Sequence, residues 1–405
     1  MSNDYEPLNH ALGAGDRRAS ARYAFHADDG DAVRRCADRL INLRASLADL
    51  RARKSDQSML LATWNIRDFD SNKFKFGPRL PESLYYIAEI ISCFDLIALQ
   101  EVNRDLSALE RVMQILGHGW DYIATDSGGN DERMVFVFNR DRVFFRRVAG
   151  EIVLPEGQLI VAPEKVRLPE NVTADAAPPP PVEHEYQFAR SPFLVAFQSG
   201  WFRFSLCTAH IYYGAEKGAA LERRIAEIRR LVKFFADRQD SASRQEKDAD
   251  GAVENYIVLG DFNVVSPEHG TMQALKSNGF VVPPEIDGAK VRRTGQSFYD
   301  QIAVRVKDPR FAVKDGGMVY YYDTVFTDAD REIYAAHVPD KDLEDDGKPV
   351  ATKPKRAKKP DPQKLYQKWR TWQMSDHIPL WIEISTDFSD DYLRRIAEGA
   401  SAQVA

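Results

Sequence analysis

Short runs of apolar, β-prone residues recur along the chain, and a short polar motif ends each of six such runs. The six motifs are Trp64-Asn65-Ile66-Arg67, Gln100-Glu101-Val102, Glu132-Arg133, Ala209-His210, Gly260-Asp261-Phe262-Asn263 and Ser375-Asp376-His377. A strand that ends in Asn, Glu, Asp or His carries a polar group to the edge of a buried sheet. The repetition therefore predicts a single site that is assembled from distant parts of the sequence.

The spacing of apolar residues predicts an alternation of strands and helices. Strands are expected at 59–64, 95–99, 122–124, 134–139, 144–148, 193–198, 202–210, 256–259, 297–306 and 379–384, and helices at 81–93, 106–116, 219–238 and 272–278. Some strands follow one another after short turns, which argues against a purely parallel sheet. The pattern favours an α/β fold in which two packed mixed sheets have helices outside them.

The N-terminal part contains one further predicted helix, over residues 31–53. Its apolar positions alternate spacings of three and four, which is typical of a helix with one apolar seam. Two interpretations stand: the helix docks onto the main domain, or the seam binds a second copy or another protein. We expect an N-terminal segment with this helix at 1–57, a main domain at 58–387 and a C-terminal tail at 388–405.

Two stretches depart from the alternation. Residues 154–182 include four consecutive prolines and are expected to form a surface excursion. Residues 323–372 lose apolar content, become acidic and then basic, and end with Tyr366, Trp369 and Trp372. This insertion is interpreted either as a solvated loop or as an arm that grips phosphates while its aromatic rings stack on bases.

The composition narrows the classes of function. The formal net charge of -6 gives no overall basic footprint, so nucleic-acid binding would need a local patch or metal ions. The three cysteines are widely spaced and predict neither a disulfide framework nor a metal cluster. We find no secretory signal and no apolar run long enough to span a membrane, and we expect a cytoplasmic protein.

The polar motifs offer the groups that metal-assisted phosphoryl-ester hydrolysis requires. Glu101 and Asp376 are candidate oxygen ligands for Mg²⁺ or Mn²⁺, which usually takes only one or two protein carboxylates. Asp261 and Asn263 are two residues apart, so both can face an activated water and a phosphoryl oxygen. Each has a structural alternative, since Gly-Asp-Phe-Asn is also ordinary turn chemistry.

Two histidines are the candidates for proton transfer. His210 and His377 each follow a predicted strand or turn, and a histidine that acts as a base needs a carboxylate to fix its tautomer. The candidates for this carboxylate are Asp300 and Glu132. Two such pairs would serve both the attacking water and the leaving oxygen of a phosphodiester.

GDFN at 260–263, QEV at 100–102 and SDH at 375–377, in this order, resemble the endonuclease/exonuclease/phosphatase superfamily, the deoxyribonuclease-I-like proteins. The resemblance covers about residues 59–386 and implies a four-layered α/β sandwich, to which the N-terminal helix is an extension. The implied roles are metal binding by Asn65, Glu101 and Asp376, catalysis by His210 and His377, orientation of water and phosphate by Asp261 and Asn263, and pairing of Asp300 with His377.

Four further segments are similar to the deoxyribonuclease branch. They are Asn65-Ile66-Arg67, Glu132-Arg133, Phe188-Ala189-Arg190-Ser191-Pro192 and Tyr299-Asp300-Gln301-Ile302. The resemblance implies that Glu132 supports His210 and that Arg67, Arg190 and Asn263 contact the substrate. It implies a Mg²⁺- or Mn²⁺-dependent endonuclease acting on DNA. The alternatives are a phosphatase or phosphodiesterase for inositol phosphates or phospholipids, and a binding or scaffold protein without turnover.

Overall fold

Two β-sheets packed face to face form the centre of the molecule in the computed structural model. The structure describes residues 3–5, 8, 22–26, 28–164, 182–242, 254–288, 298–340 and 361–398. The first sheet has the spatial order β12 (Val313–Met318), β13 (Leu380–Ser385), β1 (Ser58–Phe69), β2 (Leu96–Asn103), β4 (Glu132–Asn139) and β3 (Trp120–Ala124). The second has the order β11 (Asp300–Arg305), β10 (Tyr256–Asp261), β9 (Phe202–His210), β8 (Phe193–Ser199) and β5 (Phe144–Glu151).

Both sheets are mixed, as the sequence pattern predicts. In the first sheet β1 and β2 run parallel, and in the second β9 and β10 do, while the remaining neighbours are antiparallel. The side chains of β1 alternate between two cores: Met59 and Leu61 face the space between the sheets, and Leu60, Ala62 and Trp64 face the outer core. A strand buried on both faces is apolar throughout, which explains the continuous apolar run at the start of β1.

Helices cover the outer face of each sheet. The described helices are α1 (Gly30–Ser46), α2 (Ala48–Ala52), α3 (Pro81–Ile91), α4 (Ser107–Leu116), α5 (Ala219–Ala242), α6 (Gly270–Leu275), α7 (Pro362–Gln373) and α8 (Ser389–Ala397). Residues of α1, α3, α4 and α7 pack in the core of the first sheet, and residues of α5 and α6 pack in the core of the second. The predicted four-layered α/β sandwich is therefore confirmed.

The N-terminal helix docks onto the main fold. The predicted helix at 31–53 is divided at Leu47 into α1 and α2. Its seam residues Cys36, Leu40 and Leu43 are buried in the outer core, and α1 packs against α3. The helix therefore docks onto the main domain, which was the first of the two interpretations. Docking buries the seam that a second copy or another protein would otherwise bind.

Two sequence expectations need correction. The stretch 154–182 is not only a surface excursion, because β6 (Ile160–Glu164) pairs with β7 (Val182–Tyr186) beside α5, and Leu154 and Ile160 are buried. The insertion at 323–372 is not only a loop either, because its last part forms α7. Among the described residues, no helix combines the length and the apolar character needed to cross a membrane.

Candidate active site

The polar motifs meet at one edge of the two sheets. Asp261, at the end of β10, is the register partner of both His210 at the end of β9 and Asp300 at the start of β11. Glu132 opens β4 and pairs with Asn103 at the end of β2. Because β4 and β11 are antiparallel to their neighbours, their first residues lie at the edge where β2 and β10 end.

His377 and Asp300 form a buried pair. The Nδ1 atom of His377 lies 2.5 Å from Oδ2 of Asp300, and the Asp300 side chain has no exposed surface. Burial alone would lower the pKa of His377, but the Asp300 carboxylate opposes this and raises it to about 10. Burial raises the pKa of Asp300 to about 6. At neutral pH the proton therefore resides on the imidazole, and the pair is an imidazolium and a carboxylate.

A second pair joins His210 to Glu132. The Nδ1 atom of His210 lies 3.0 Å from Oε2 of Glu132, and the guanidinium of Arg190 donates to the same carboxylate at 2.8 and 3.3 Å. Burial would raise the pKa of Glu132, but the hydrogen bond and charge of His210, together with Arg190, lower it to about 2. Burial and Arg190 lower the pKa of His210, and Glu132 outweighs them and raises it. Arg190, predicted to contact substrate, thus holds the carboxylate that orients His210.

The carboxylate of Asp261 lies between the two histidines. Its Oδ2 atom is 3.7 Å from Nε2 of His210 and 3.9 Å from Nε2 of His377. Burial would raise the pKa of Asp261, but His377, His210 and the backbone N–H of Asn263 lower it. The two imidazole rings therefore turn their free nitrogen atoms toward one ionised carboxylate.

Asn65 links this carboxylate to Glu101. Its Nδ2 atom donates to Oδ2 of Asp261 at 3.0 Å and to Oε1 of Glu101 at 2.8 Å. Its Oδ1 atom accepts the backbone N–H of Arg67, and Oε2 of Glu101 accepts that of Asp68. Asn65 thus fixes the spacing of two carboxylates that come from different sheets.

The donor set fits a hard divalent cation. The side chains of Glu101 and Asp376 are each 24% exposed, so both carboxylates can meet a cation and its water. The acids Asp261 and Asp300 also lie with His377 in a group whose ligand atoms are within 4.8 Å of one another. In that group Nδ1 of His377 is already paired with Asp300, which favours proton transfer over metal binding.

Asn263 donates one hydrogen bond to a side chain and one to the backbone of nearby residues. Its N–H donates to Oδ1 of Asp261 at 2.9 Å, and its Nδ2 atom donates to the carbonyl of Ile211 at 2.8 Å. The same residue has a positive φ of 51°, a conformation that asparagine tolerates better than most residues. Asn263 therefore ties the end of β10 to the segment that follows His210.

Arg67 lies at the rim of the site. Its guanidinium stacks 3.9 Å from the ring centroid of Trp372, donates to Oγ1 of Thr371 at 2.6 Å and approaches Asp376 to 3.4 Å. These three contacts fix the long side chain in one orientation. The arginine predicted to contact substrate is thus held by residues of the insertion and of the Ser-Asp-His motif.

The aromatic residues of the insertion are core residues, which contradicts the interpretation that they stack on bases. Tyr366, Trp369 and Trp372 are buried on α7, and Trp372 also packs against the rings of Phe74 and Phe76. The lysine-rich part of the proposed arm, at 348–359, lies outside the described residues.

Sequence reasoning overlooked the polar groups that join the motifs. Ser375 donates from Oγ to the carbonyl of Asn65 at 2.6 Å and accepts the N–H of His377 at 3.0 Å. Gln100 donates from Nε2 to Thr63 at 3.1 Å and to Thr208 at 2.8 Å, and so connects the two sheets beneath the site. For Gln100, Thr63 and Thr208 the signal was present, because they are polar residues inside otherwise apolar strands. Ser375 lies between α7 and β13 and gives no such signal.

Glu227 on α5 gives a prediction of pH dependence. Its buried carboxyl accepts the N–H of Ala189, next to Arg190, and burial raises its pKa from 4.5 to about 7. A carboxyl whose pKa is raised by folding stabilises the fold at pH values below its pKa in the unfolded chain. That contribution is lost as the pH rises through the folded-state pKa of about 7. Between about pH 5 and about pH 8 we expect the wild type to lose roughly 2–3 kcal/mol of unfolding free energy that Glu227→Gln retains. Urea unfolding at both pH values measures this, and parallel behaviour of the two proteins would contradict it.

No protein-family model and no curated protein sequence matches the chain. Among solved structures, an endonuclease/exonuclease/phosphatase family protein from Bacteroides thetaiotaomicron is 17% identical, with 82% of this chain and 99% of that one covered and a TM-score of 0.47. The mannosyl-6-phosphatase Bt3783 of the same species is 16% identical, with coverages of 81% and 99% and a TM-score of 0.43. TDP2 of D. rerio, complexed with a single-strand DNA product, is 10% identical, with coverages of 81% and 99% and a TM-score of 0.44. The likeness to these proteins is one of fold.

Proposed function

We propose that the chain belongs to the endonuclease/exonuclease/phosphatase superfamily and is a divalent-metal-dependent phosphodiester hydrolase, with DNA as its substrate. One observation carries the proposal: two His–carboxylate pairs direct their Nε2 atoms at one central carboxylate, at 3.7 and 3.9 Å. Hydrolysis of a diester needs a proton removed from water and a proton given to the leaving oxygen. The two histidines supply one group for each task.

We assign the acid role to His377 and the base role to His210. Glu132 raises the pKa of His210 too, so only the neutral form of His210 can act as the base. His377, whose pKa is raised to about 10, carries a proton at neutral pH and gives it from Nε2 to the leaving oxygen as the phosphorus–oxygen bond breaks. His210 accepts the proton of the attacking water at Nε2, while Glu132 holds Nδ1–H and stabilises the resulting imidazolium. Asp261 orients the water and both rings.

Glu101 and Asp376 are the residues we assign to the metal, with Asn65 fixing the position of Glu101. A bound Mg²⁺ or Mn²⁺ would screen the phosphate charge and polarise a phosphoryl oxygen. Arg67, held by Trp372, places a fixed cation beside Asp376 and is assigned to a substrate phosphate. A fixed guanidinium next to the reacting group supports a polyanionic substrate such as DNA.

A substrate panel tests the proposal. Supercoiled plasmid, single-stranded DNA, RNA, inositol phosphate and sphingomyelin are each incubated with Mg²⁺, Mn²⁺ or EDTA. We expect nicking of plasmid with either metal, loss of at least about 100-fold in EDTA, and recovery when metal is restored, because phosphoryl-oxygen charge is then again screened. Hydrolysis of inositol phosphate or sphingomyelin alone would replace the substrate assignment. Absence of turnover throughout the panel would favour the scaffold alternative.

A further inference from the structure

Two buried arginines lie directly behind the site, one in each half of the molecule. Arg79 precedes α3, Arg224 lies on α5, and both side chains are almost fully buried. Each binds several backbone carbonyl groups, and those carbonyls come from two separate segments that carry site residues. The polar motifs of the sequence contain neither arginine.

Arg79 joins the segment after Asn65 to the segment before His377. Its Nη2 atom donates to the carbonyls of Ile66 at 2.5 Å and Arg67 at 2.7 Å, and also to that of Met374 at 3.0 Å. Its Nη1 atom donates to the carbonyl of Asp68 at 2.9 Å. One guanidinium thus fixes the distance between the end of β1 and the Ser-Asp-His motif.

Arg224 makes the equivalent connection in the second sheet. Its Nη1 atom donates to the carbonyl of Asn263 at 3.1 Å, just beyond Asp261. Its Nε and Nη2 atoms donate to the carbonyl of Tyr213, and Nη2 donates to that of Ala215 at 2.8 Å, in the segment after His210. This guanidinium fixes the distance between the ends of β9 and β10.

Burying a cation against carbonyl groups is costly, and here burial lowers the pKa of Arg224. A lysine ammonium has a single nitrogen, so it cannot reach carbonyls in two directions in one plane as a guanidinium does. Carbonyl groups left unpaired in the interior also carry a free-energy penalty. The arrangement therefore requires arginine at both positions, and each arginine fixes the relative position of two backbone segments.

We propose that Arg79 and Arg224 are positioning residues for the hydrolysis, Arg79 holding His377 relative to Asn65 and Arg224 holding His210 relative to Asp261. The proposal rests on the proposed function and adds a division of labour to it. Each arginine acts through backbone carbonyls, and each governs the histidine of one sheet only.

The test uses Arg79→Lys and Arg224→Lys in the full chain, with Arg142→Lys as the matched control. Arg142 also donates to backbone carbonyls, including that of Ser58 at 2.8 Å, but it lies at the opposite end of β1. A small displacement of reacting groups costs up to about 100-fold in rate, so we expect both site variants to lower kcat by about 10–100-fold with little change in KM. Arg142→Lys should lower the melting temperature and leave kcat unchanged.

Histidine ring NMR signals provide a readout that needs no substrate and is therefore independent of the proposed function. Arg79→Lys should shift the ring signals of His377 and spare those of His210, and Arg224→Lys should do the reverse. If a lysine variant does not fold, Arg79→Gln or Arg224→Gln, which keeps a planar amide donor, takes its place. Equal shifts of both histidines in each variant, unshifted signals, or a kcat loss matched by Arg142→Lys would overturn the proposal.

Discussion

Replacing His377 with alanine is expected to lower the rate of metal-dependent plasmid nicking by about 10²–10⁴-fold, the usual contribution of a positioned general acid. The reason lies in its surroundings: Asp300 is its buried ion-pair partner at 2.5 Å, and the Nε2 atom faces Asp261. Without the imidazolium, the leaving oxygen must depart without a proton donor. The initial rate of nicking at saturating Mg²⁺ measures the effect.

A matched control separates this loss from general damage. His184 lies on β7 with a side chain that is 51% exposed, and its ring pairs with Glu164 on β6, outside the site. His184→Ala should therefore nick plasmid at the wild-type rate. Robust metal-dependent cleavage by His377→Ala would contradict the assignment of His377 to the site, regardless of the result for His184→Ala.

The second large effect concerns stability. Replacing both Arg44 and Arg51 with methionine is expected to lower the free energy of unfolding by roughly 3–5 kcal/mol, the usual cost of breaking a buried ion pair. Both arginines pair with Glu89, whose side chain on α3 has no exposed surface. The double variant leaves this carboxylate buried without a cation. Urea unfolding followed by circular dichroism measures the loss.

Two comparisons make that result specific. Arg34→Met removes an exposed ion pair with Asp31 on the same helix and should change stability by no more than about 0.5 kcal/mol. Adding Glu89→Leu to the double variant removes the unpaired charge and should restore most of the stability. A double variant as stable as Arg34→Met would mean that the N-terminal helix is not held by these pairs.

The parts of the fold that could be predicted from sequence are those with strong apolar periodicity. The strand β1 and the helix α5 have regular apolar spacing, and their starts were predicted to within one residue. Their ends were predicted too early, at 64 and 238 instead of Phe69 and Ala242. The strand β12, by contrast, has the sequence VKDGGM and carries no pattern of two. It forms because β13 offers it a partner, and that is a long-range effect a local pattern does not contain.

The helix α7 was overlooked for a related reason. A charged stretch precedes it, and its own residues include Lys364 and Lys368 as well as Arg370, which is buried. The three aromatic residues, at spacings of three, were interpreted as a stacking surface, although the same spacing describes a helix face packed into a core. Burial in the structure decides between these interpretations.

Residue patterns alone predicted the candidate site as a set of residues, whereas only the family resemblance implied the pairs His377–Asp300 and His210–Glu132. The six motifs were expected to end strands, whereas Glu132 begins one. Asp300, which belongs to none of the six, also begins its strand. Both positions reach the same edge because their strands run antiparallel to β2 and β10. Strand direction depends on how the whole sheet is ordered, so residue patterns alone leave the pairing of each histidine open.

The pairing of β1 with β13 has a consequence for the timing of activity during synthesis. His377 lies just before β13, near the C-terminal end of the described chain. Ser375, in the same segment, donates a hydrogen bond to the carbonyl of Asn65 in β1. A ribosome-bound or prematurely terminated chain that ends before residue 377 lacks the proposed proton donor and the strand that seats it. Such fragments are expected to be inert toward nucleic acid, so the order of the sequence itself delays any hydrolytic activity until His377 and β13 have been synthesised.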